Sequence, residues 1–201
     1  HHVTMDVLRS VFEKRTLRYD RQGDQHYDII SAFIKSMRGS DPDAAVYWLA
    51  RMYEAGEDPR FLARRMIIFA SEDVGMADPR ALQVAVAAAE AFERVGQAEG
   101  WIPLSQAAVY LATAPKSNSS YMAYKTAREA VERGGDLPVP MHLRNAPTKL
   151  MESLGYGEGY EYAHSQKDGR VSHAHLPESL VGERFWKPGP RGYEKLLGQR
   201  S

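Results

Sequence analysis

The sequence predicts an all-α fold, an array of helical hairpins followed by an irregular Pro/Gly-rich tail. Three observations carry that expectation. Apolar residues recur at spacings of three and four, strand-like alternation is nearly absent, and Asp-Pro occurs at Asp41-Pro42, Asp58-Pro59 and Asp78-Pro79, each ahead of an apolar-rich stretch of helical length. Asp offers a side-chain acceptor to the free amides of a helix start. Pro at the first helical position gives up no hydrogen bond, and its φ is already set. The Asp-Pro spacings of 17 and 20 residues suit consecutive helices joined by tight turns. Gly39, Gly56 and Gly75 stand two or three residues before those starts, where Gly can take the left-handed conformation that ends the preceding helix.

The first helix is expected to end near Met37, with Tyr27, Ile30, Phe33, Ile34 and Met37 on one side. The second carries Ala45, Trp48, Leu49 and Met52. The third contains the unbroken run Met66-Ile67-Ile68-Phe69-Ala70, apolar all round and so expected at the centre. The fourth, Ala81 to Val95, has Ala at 81, 85, 87, 88, 89 and 91. Those small side chains allow close helix approach, and Ala has the best helix propensity. A fifth helix begins at Pro103 and is interrupted by Pro115. A sixth follows the capping row Ser117-Asn118-Ser119-Ser120 and closes at Gly134-Gly135.

Beyond Gly135 prolines and glycines crowd the chain, and only Pro147 to Leu154 and Tyr193 to Gln199 read as helices. The tail still holds Tyr156, Tyr160, Tyr162, Phe185, Trp186 and Tyr193. That is more aromatic surface than a free linker carries, so the tail is expected to pack on the helical body or a partner.

Composition excludes several function classes. The 201 residues are 43% hydrophobic and 26% charged, enough to bury a real core and unlike a disordered chain. Mean hydropathy is -0.48 and no run approaches the roughly 18 apolar residues of a spanning helix. Lys plus Arg at 26 against Asp plus Glu at 26 gives zero formal charge, so binding of nucleic acid by bulk attraction is excluded and any DNA contact must be local. Cysteine is absent, which removes disulfides, thiol nucleophiles and thiolate metal sites and suits a cytoplasmic protein. His1-His2 read as the remnant of a purification tag.

The chain contains no G-x-x-x-x-G-K-[ST] phosphate loop, no G-x-G-x-x-G opening a helix and no G-x-S-x-G, so nucleotide hydrolysis and serine catalysis cannot be argued from it. Four constellations remain. His173-Ala174-His175 with Glu178 has the spacing of two metal ligands on an extended segment, but lacks a fixed second motif. Arg64, Arg65, Glu72 and Asp73 read first as a structural ion-pair network, since Arg65 and Glu72, seven apart, would share a helix face. Lys116-Ser117-Asn118 with Ser119 and Ser120 puts a cation and hydroxyls at a helix start. Capping explains them; a DNA phosphate on the free amides is the competing reading. Lys35, Arg38, Arg64 and Arg65 would extend such a DNA- or subunit-contact patch if the fold gathers them. Arg64, Glu72 and Asp73 with His142 would make the acid–base site of a helical enzyme, an alternative that requires them to line one pocket.

Particular strings go further. Tyr27-Asp28-Ile29-Ile30-Ser31-Ala32-Phe33-Ile34-Lys35-Ser36-Met37-Arg38-Gly39-Ser40-Asp41-Pro42-Asp43-Ala44-Ala45 is followed by Tyr47-Trp48-Leu49-Ala50, Gly56-Glu57-Asp58-Pro59, Ala63-Arg64-Arg65, Ala70-Ser71-Glu72-Asp73-Val74-Gly75 and Ala77-Asp78-Pro79. Later come Tyr110-Leu111-Ala112, Ala114-Pro115-Lys116-Ser117-Asn118, Val139-Pro140, His142-Leu143-Arg144 and Gly155-Tyr156-Gly157. Together these resemble the C-terminal region of the replication-associated recombination protein A family. Its members are bacterial AAA+ ATPases also called maintenance of genome stability protein A, with the Werner helicase-interacting protein as eukaryotic counterpart. The resemblance runs from about His26 into the tail.

The resemblance implies a fragment that is not itself an enzyme, with ATP and Mg bound in an N-terminal ATPase module. It implies residues 3–25 as the end of the AAA+ lid or a linker, 26–135 as a clamp-loader-like helical collar for oligomerisation, and 136–201 as a family-specific C-terminal extension packed on it. It further implies a homotetramer acting at stalled replication forks, contact with DNA ends or junctions, association with single-stranded-DNA-binding protein, and a bacterial, cytoplasmic, nucleoid-associated setting without membrane. A protein-only scaffold without DNA affinity is the alternative. The sequence departs from the family pattern in the tail, with Ala163 before His164 where Pro is expected, His175 where Tyr is expected before Leu176-Pro177, and Phe185-Trp186 in place of a tyrosine-rich pair.

Overall fold

A computed structural model of the chain describes residues 24–199 together with Met5. The tag remnant and the lid or linker expected over 3–25 therefore lie almost wholly outside the described residues. Six longer helices run in chain order: α1 (Asp24–Arg38), α2 (Pro42–Glu54), α3 (Pro59–Phe69), α4 (Arg80–Val95), α5 (Trp101–Thr113) and α6 (Ser119–Gly134). Two short ones follow, α7 (Lys149–Ser153) and α8 (Gly192–Gly198), and no strand occurs among the described residues. The all-α expectation holds, with element bounds displaced by one to three residues. The chain forms two compact units, one of residues up to 123 together with 186 onward, the other of residues 124–185.

The Asp-Pro starts work as their chemistry requires. Asp41 accepts from the Ala44 amide at 2.9 Å ahead of α2, and Asp58 from the Arg60 amide at 3.0 Å ahead of α3, each followed by Pro in the first turn. Asp78 likewise takes the Arg80 amide at 3.2 Å and does more besides. The left-handed residue in the first turn is Ser40 (φ 61), not Gly39, whereas Gly56 and Gly75 do adopt positive φ. An L residue tolerates that conformation only with compensation, and Ser40 receives it from a distant lysine described below.

The first unit is built on the apolar faces of α1 to α5. Phe33, Met37, Met52, Leu62, Met66, Leu104 and Leu111 are all fully buried; burying a side chain of that size contributes about 1.5–3 kcal/mol. Ala81, Ala85 and Ala88 on α4 meet Ala107 and Ala108 on α5 in the same core, the close approach that small residues permit. The run Met66 to Ala70 is less uniform than its sequence implies: Met66, Phe69 and Ala70 are buried, but Ile68 is 40% exposed. The chain then leaves α-geometry in a π-helical turn, Ala70–Val74, and a 3-10 turn, Gly75–Ala77. Gly75 sits here at φ 51, and a Cβ on it would stand 3.0 Å from the carbonyl oxygen of Ser117, so this position excludes larger residues.

The end of the chain belongs to the same unit. Trp186 donates from Nε1 to Ser119 Oγ at 3.1 Å. At Gly192 (φ 56), a Cβ would collide with the carbonyl of Ala77 and lie 2.8 Å from Pro115 Cγ, so α8 is seated hard against the turn before α4.

The second unit combines the C-terminal part of α6, α7 and turns. Arg144 lies over the Tyr156 ring and donates to the Val139 carbonyl at 2.7 Å, while Arg133 pairs with Glu183 at 3.1 Å. No described helix is long and apolar enough to cross a membrane.

Candidate functional site

Four of the polar residues singled out in the sequence, Arg38, Asp73, Lys116 and Ser117, meet at one junction of the first unit, and the pairings there differ from those expected. Asp73, in the π-helical turn, binds the Arg38 guanidinium at the end of α1 through Nε at 2.5 Å and Nη2 at 3.1 Å. Arg64 and Arg65 do not reach it. Arg64 is exposed and stacks 5.5 Å over the Phe61 ring, and among the described residues Arg65 and Glu72 form no ion pair. The reason is the π-turn: the wider spacing of its residues per turn breaks the seven-residue register that would have put Arg65 and Glu72 on one face. The network expected among Arg64, Arg65, Glu72 and Asp73 is thereby replaced by an Arg38–Asp73 tie between α1 and the α3–α4 connection.

Lys116 completes the junction from below. It is 9% exposed, and its ammonium donates to the carbonyls of Ala112 (2.8 Å) and Ala114 (2.5 Å) and to Ser40 Oγ (3.2 Å). Lysine has three N–H donors, so all are engaged: two close the C-terminal carbonyls of α5, the third anchors the left-handed Ser40. Burial lowers the Lys116 pKa, with the positive charge of Arg191 acting in the same direction and Asp73 opposing. Next to it, the Ser117 amide donates to the Asp73 carbonyl at 2.7 Å.

The helix start expected to hold either a cap or a phosphate has its cap, Ser117 Oγ accepting the Ser119 amide at 3.2 Å, and its serine hydroxyls hold an anion from this same chain. Glu194 of α8 is fully buried. Its carboxylate accepts from Ser117 Oγ at 2.9 Å, from Ser119 Oγ at 2.5 Å and from the Gly189 amide. Asn118 is exposed and its carbonyl takes the Met122 amide at 2.9 Å. Of the proposed contact residues, then, the structure brings Arg38, Lys116 and Ser117 together with Asp73, and leaves Lys35 and Arg64 on the surface. Sequence reasoning missed Glu194. It lies 77 residues from Ser117, and a lone Glu in a seven-residue helix carries no signal of burial.

Asp78 forms a second buried polar point. Besides the Arg80 amide it accepts from the Tyr110 hydroxyl at 2.6 Å and the Arg80 guanidinium at 2.9 Å, joining the starts of α4 and the body of α5. Burial alone would raise its pKa, but the hydrogen bonds from Arg80 and Tyr110 outweigh that and hold it below the ordinary carboxylate range.

In the second unit the His173 ring meets that of His142 edge to face and that of His175 at a tilt, with centroids 4.6 Å and 4.8 Å apart, and His142 Nε2 donates to the Ala174 carbonyl at 2.8 Å. Among the described residues no group of three His, Cys, Asp or Glu has the arrangement to hold a metal ion. His142 is thus engaged by a backbone carbonyl and a neighbouring ring, and Asp73 by Arg38.

The first unit also presents apolar surface. Ile102 and Val109, seven apart on α5, are 51% and 40% exposed and form an outward ridge. On its α4 side runs a groove of about 280 Å³ lined by Val84, Ala87, Ala91, Pro103 and Gln106; on its α2 side is a smaller notch.

Two family models match the chain, one described as "AAA C-terminal domain" over residues 1–38 and one as "MgsA AAA+ ATPase C terminal" over residues 39–201. They meet at the turn between α1 and α2. Among curated proteins the chain is 49% identical over 196 residues to replication-associated recombination protein A of Escherichia coli, covering 97% of the chain and 44% of that protein. It is 53% identical over 195 residues to the protein of the same name from Coxiella burnetii, covering 96% of the chain and 44% of the relative. To the ATPase WRNIP1 of Dictyostelium discoideum it is 45% identical over 186 residues, 92% of the chain and 21% of the relative. The chain therefore spans under half the length of these relatives.

Proposed function

The chain belongs to the MgsA AAA+ ATPase C-terminal family, and from that premise we propose that it is the non-catalytic assembly and docking part of an AAA+ ATPase working in DNA replication, recombination and repair. The ATP- and Mg-dependent step belongs to an ATPase module N-terminal to this region. This region joins copies into a homotetramer and brings them to DNA at stalled forks, with single-stranded-DNA-binding protein as a further partner in the cytoplasm, at the nucleoid. The relatives' names, replication-associated recombination protein A, support the setting.

One observation carries the assembly reading: the ridge of Ile102 and Val109 beside the Ala-lined α4–α5 groove. Large aliphatic side chains left this exposed next to a concave apolar strip are the self-complementary surface that a symmetric oligomer buries. Light scattering across a dilution series tests it. A mass about four times the 22.6 kDa of the chain is expected, and Val109→Glu should lower that mass without changing the helical circular dichroism. A monomer at every concentration overturns the assembly reading.

The DNA reading rests on local cations, since net charge is zero. Lys35 and Arg64 are the exposed candidates, Arg38 being tied to Asp73 and Lys116 buried. Anisotropy of a labelled single-stranded or forked DNA should rise with the chain and fall as salt is added. Lys35→Glu with Arg64→Glu should weaken it further. No binding at low salt would leave a protein-only scaffold.

A further inference from the structure

The notch on the α2 side of the α5 ridge differs from the assembly groove in both size and charge. It measures about 200 Å³ and is lined by Val46, Ala50, Tyr53 and Glu54 of α2 and by Trp101 and Ser105 of α5. That is below the roughly 300 Å³ at which drug-sized ligand pockets begin, and fits one inserted side chain. Its walls are set by the fold. The Tyr53 hydroxyl donates to the Gln97 carbonyl at 2.5 Å, which fixes the turn entering α5, and Trp101, the first residue of that helix, stays 51% exposed. An exposed indole beside a rigid tyrosine is the kind of anchor site that interfaces use.

The charge in the lining of the notch has one sign. Glu54 is the charged residue in its lining, and Asp43 stands on the same exposed face of α2, with Tyr47 and Ala50 between them at helical spacing. Glu99 is exposed in the turn that leads to Trp101. The nearest cation along α2, Arg51, is drawn onto the Trp48 ring at 5.4 Å. The α4–α5 groove, by contrast, has no charged residue in its lining.

We infer that the α2–α5 notch is a docking site for a partner protein that presents a large apolar side chain flanked by lysine or arginine. The apolar group enters between Tyr53 and Trp101, and the cation pairs with Glu54. The notch and the α4–α5 groove lie on opposite flanks of the α5 ridge, so an occupant of the notch does not enter the groove assigned to assembly.

The test uses the 201-residue chain with 5-fluorotryptophan at its three tryptophans, read by fluorine NMR. The probes are 4-phenylbutylamine and 4-phenylbutyrate, which share a ring and chain length and differ in charge. The amine should move the Trp101 signal and leave Trp186 unmoved, and should bind about threefold or more tighter than the acid, the discrimination one exposed ion pair provides. Glu54→Gln should remove the discrimination, and Ala50→Trp, a surface change that fills the notch, should abolish the response to both probes. Equal binding of amine and acid, a preference that survives Glu54→Gln, or no movement of Trp101 would overturn the proposal. So would a Trp101 signal that shifts on dilution in step with the scattered mass, because a second copy of the chain would then cover the notch.

Discussion

Replacing Glu194 by Ala should be among the most damaging single changes in the first unit. The carboxylate is fully buried and accepts three hydrogen bonds, from the hydroxyls of Ser117 and Ser119 and the amide of Gly189. A hydrogen bond to a charged acceptor contributes about 1.5–3 kcal/mol, but three that share one acceptor do not add in full, and the serine hydroxyls can rotate toward other acceptors. The Gly189 amide has no such freedom. Glu194→Ala should therefore cost about 3–5 kcal/mol. At about 2–4 °C per kcal/mol for a chain of this length, the melting temperature falls by roughly 10 °C. Glu194→Gln keeps the shape and one acceptor and should cost about half as much. All three tryptophans, Trp48, Trp101 and Trp186, lie in the first unit, so urea unfolding followed by their fluorescence reads the change there. A double-mutant cycle with Ser119→Ala should return a coupling of about 1 kcal/mol or more. A loss below about 0.5 kcal/mol for Glu194→Ala, the range of an ordinary surface change, would refute the view that this carboxylate holds the chain end in place.

Lys116→Met should destabilise the first unit by about 1–3 kcal/mol, because the stem is matched in size but the Ala112 and Ala114 carbonyls and the Ser40 hydroxyl lose their donor; the same fluorescence-monitored unfolding measures it. Asp78→Asn should cost about 1–3 kcal/mol at neutral pH, and the deficit should shrink in acid. The sign follows from the direction of the shift: a carboxyl whose folded pKa is depressed stabilises the fold above its unfolded pKa and loses that contribution as pH falls through the folded value. Wild type and Asp78→Asn should therefore converge below about pH 4. A deficit that stays constant from pH 7 into acid would be inconsistent with ionised Asp78 as the acceptor.

Much of this protein was decided locally and is legible in its residues. Asp41 and Asp58 cap helices whose first residues are prolines, because capping and fixed φ act within four residues of chain. Ala81, Ala85 and Ala88 of α4 share the core with Ala107 and Ala108 of α5 because helical spacing sets which residues share a face. The strings from Tyr27-Asp28 to Gly155-Tyr156-Gly157, taken together, resemble the family whose model matches the chain.

What the sequence could not decide are the partners of its polar groups, since those depend on which distant segments the core brings together. Asp73, in the π-turn that follows α3, finds Arg38, 35 residues away at the end of α1. Lys116, which reads as a surface cation beside a helix start, is turned inward to the open carbonyls of α5 and to Ser40. The anion that this helix start attracts is Glu194 of α8, brought there by a chain end that closes back on the first unit. Helix starts and apolar faces are properties of neighbouring residues. A buried charge takes its partner from long-range packing, and only the tertiary structure supplies it.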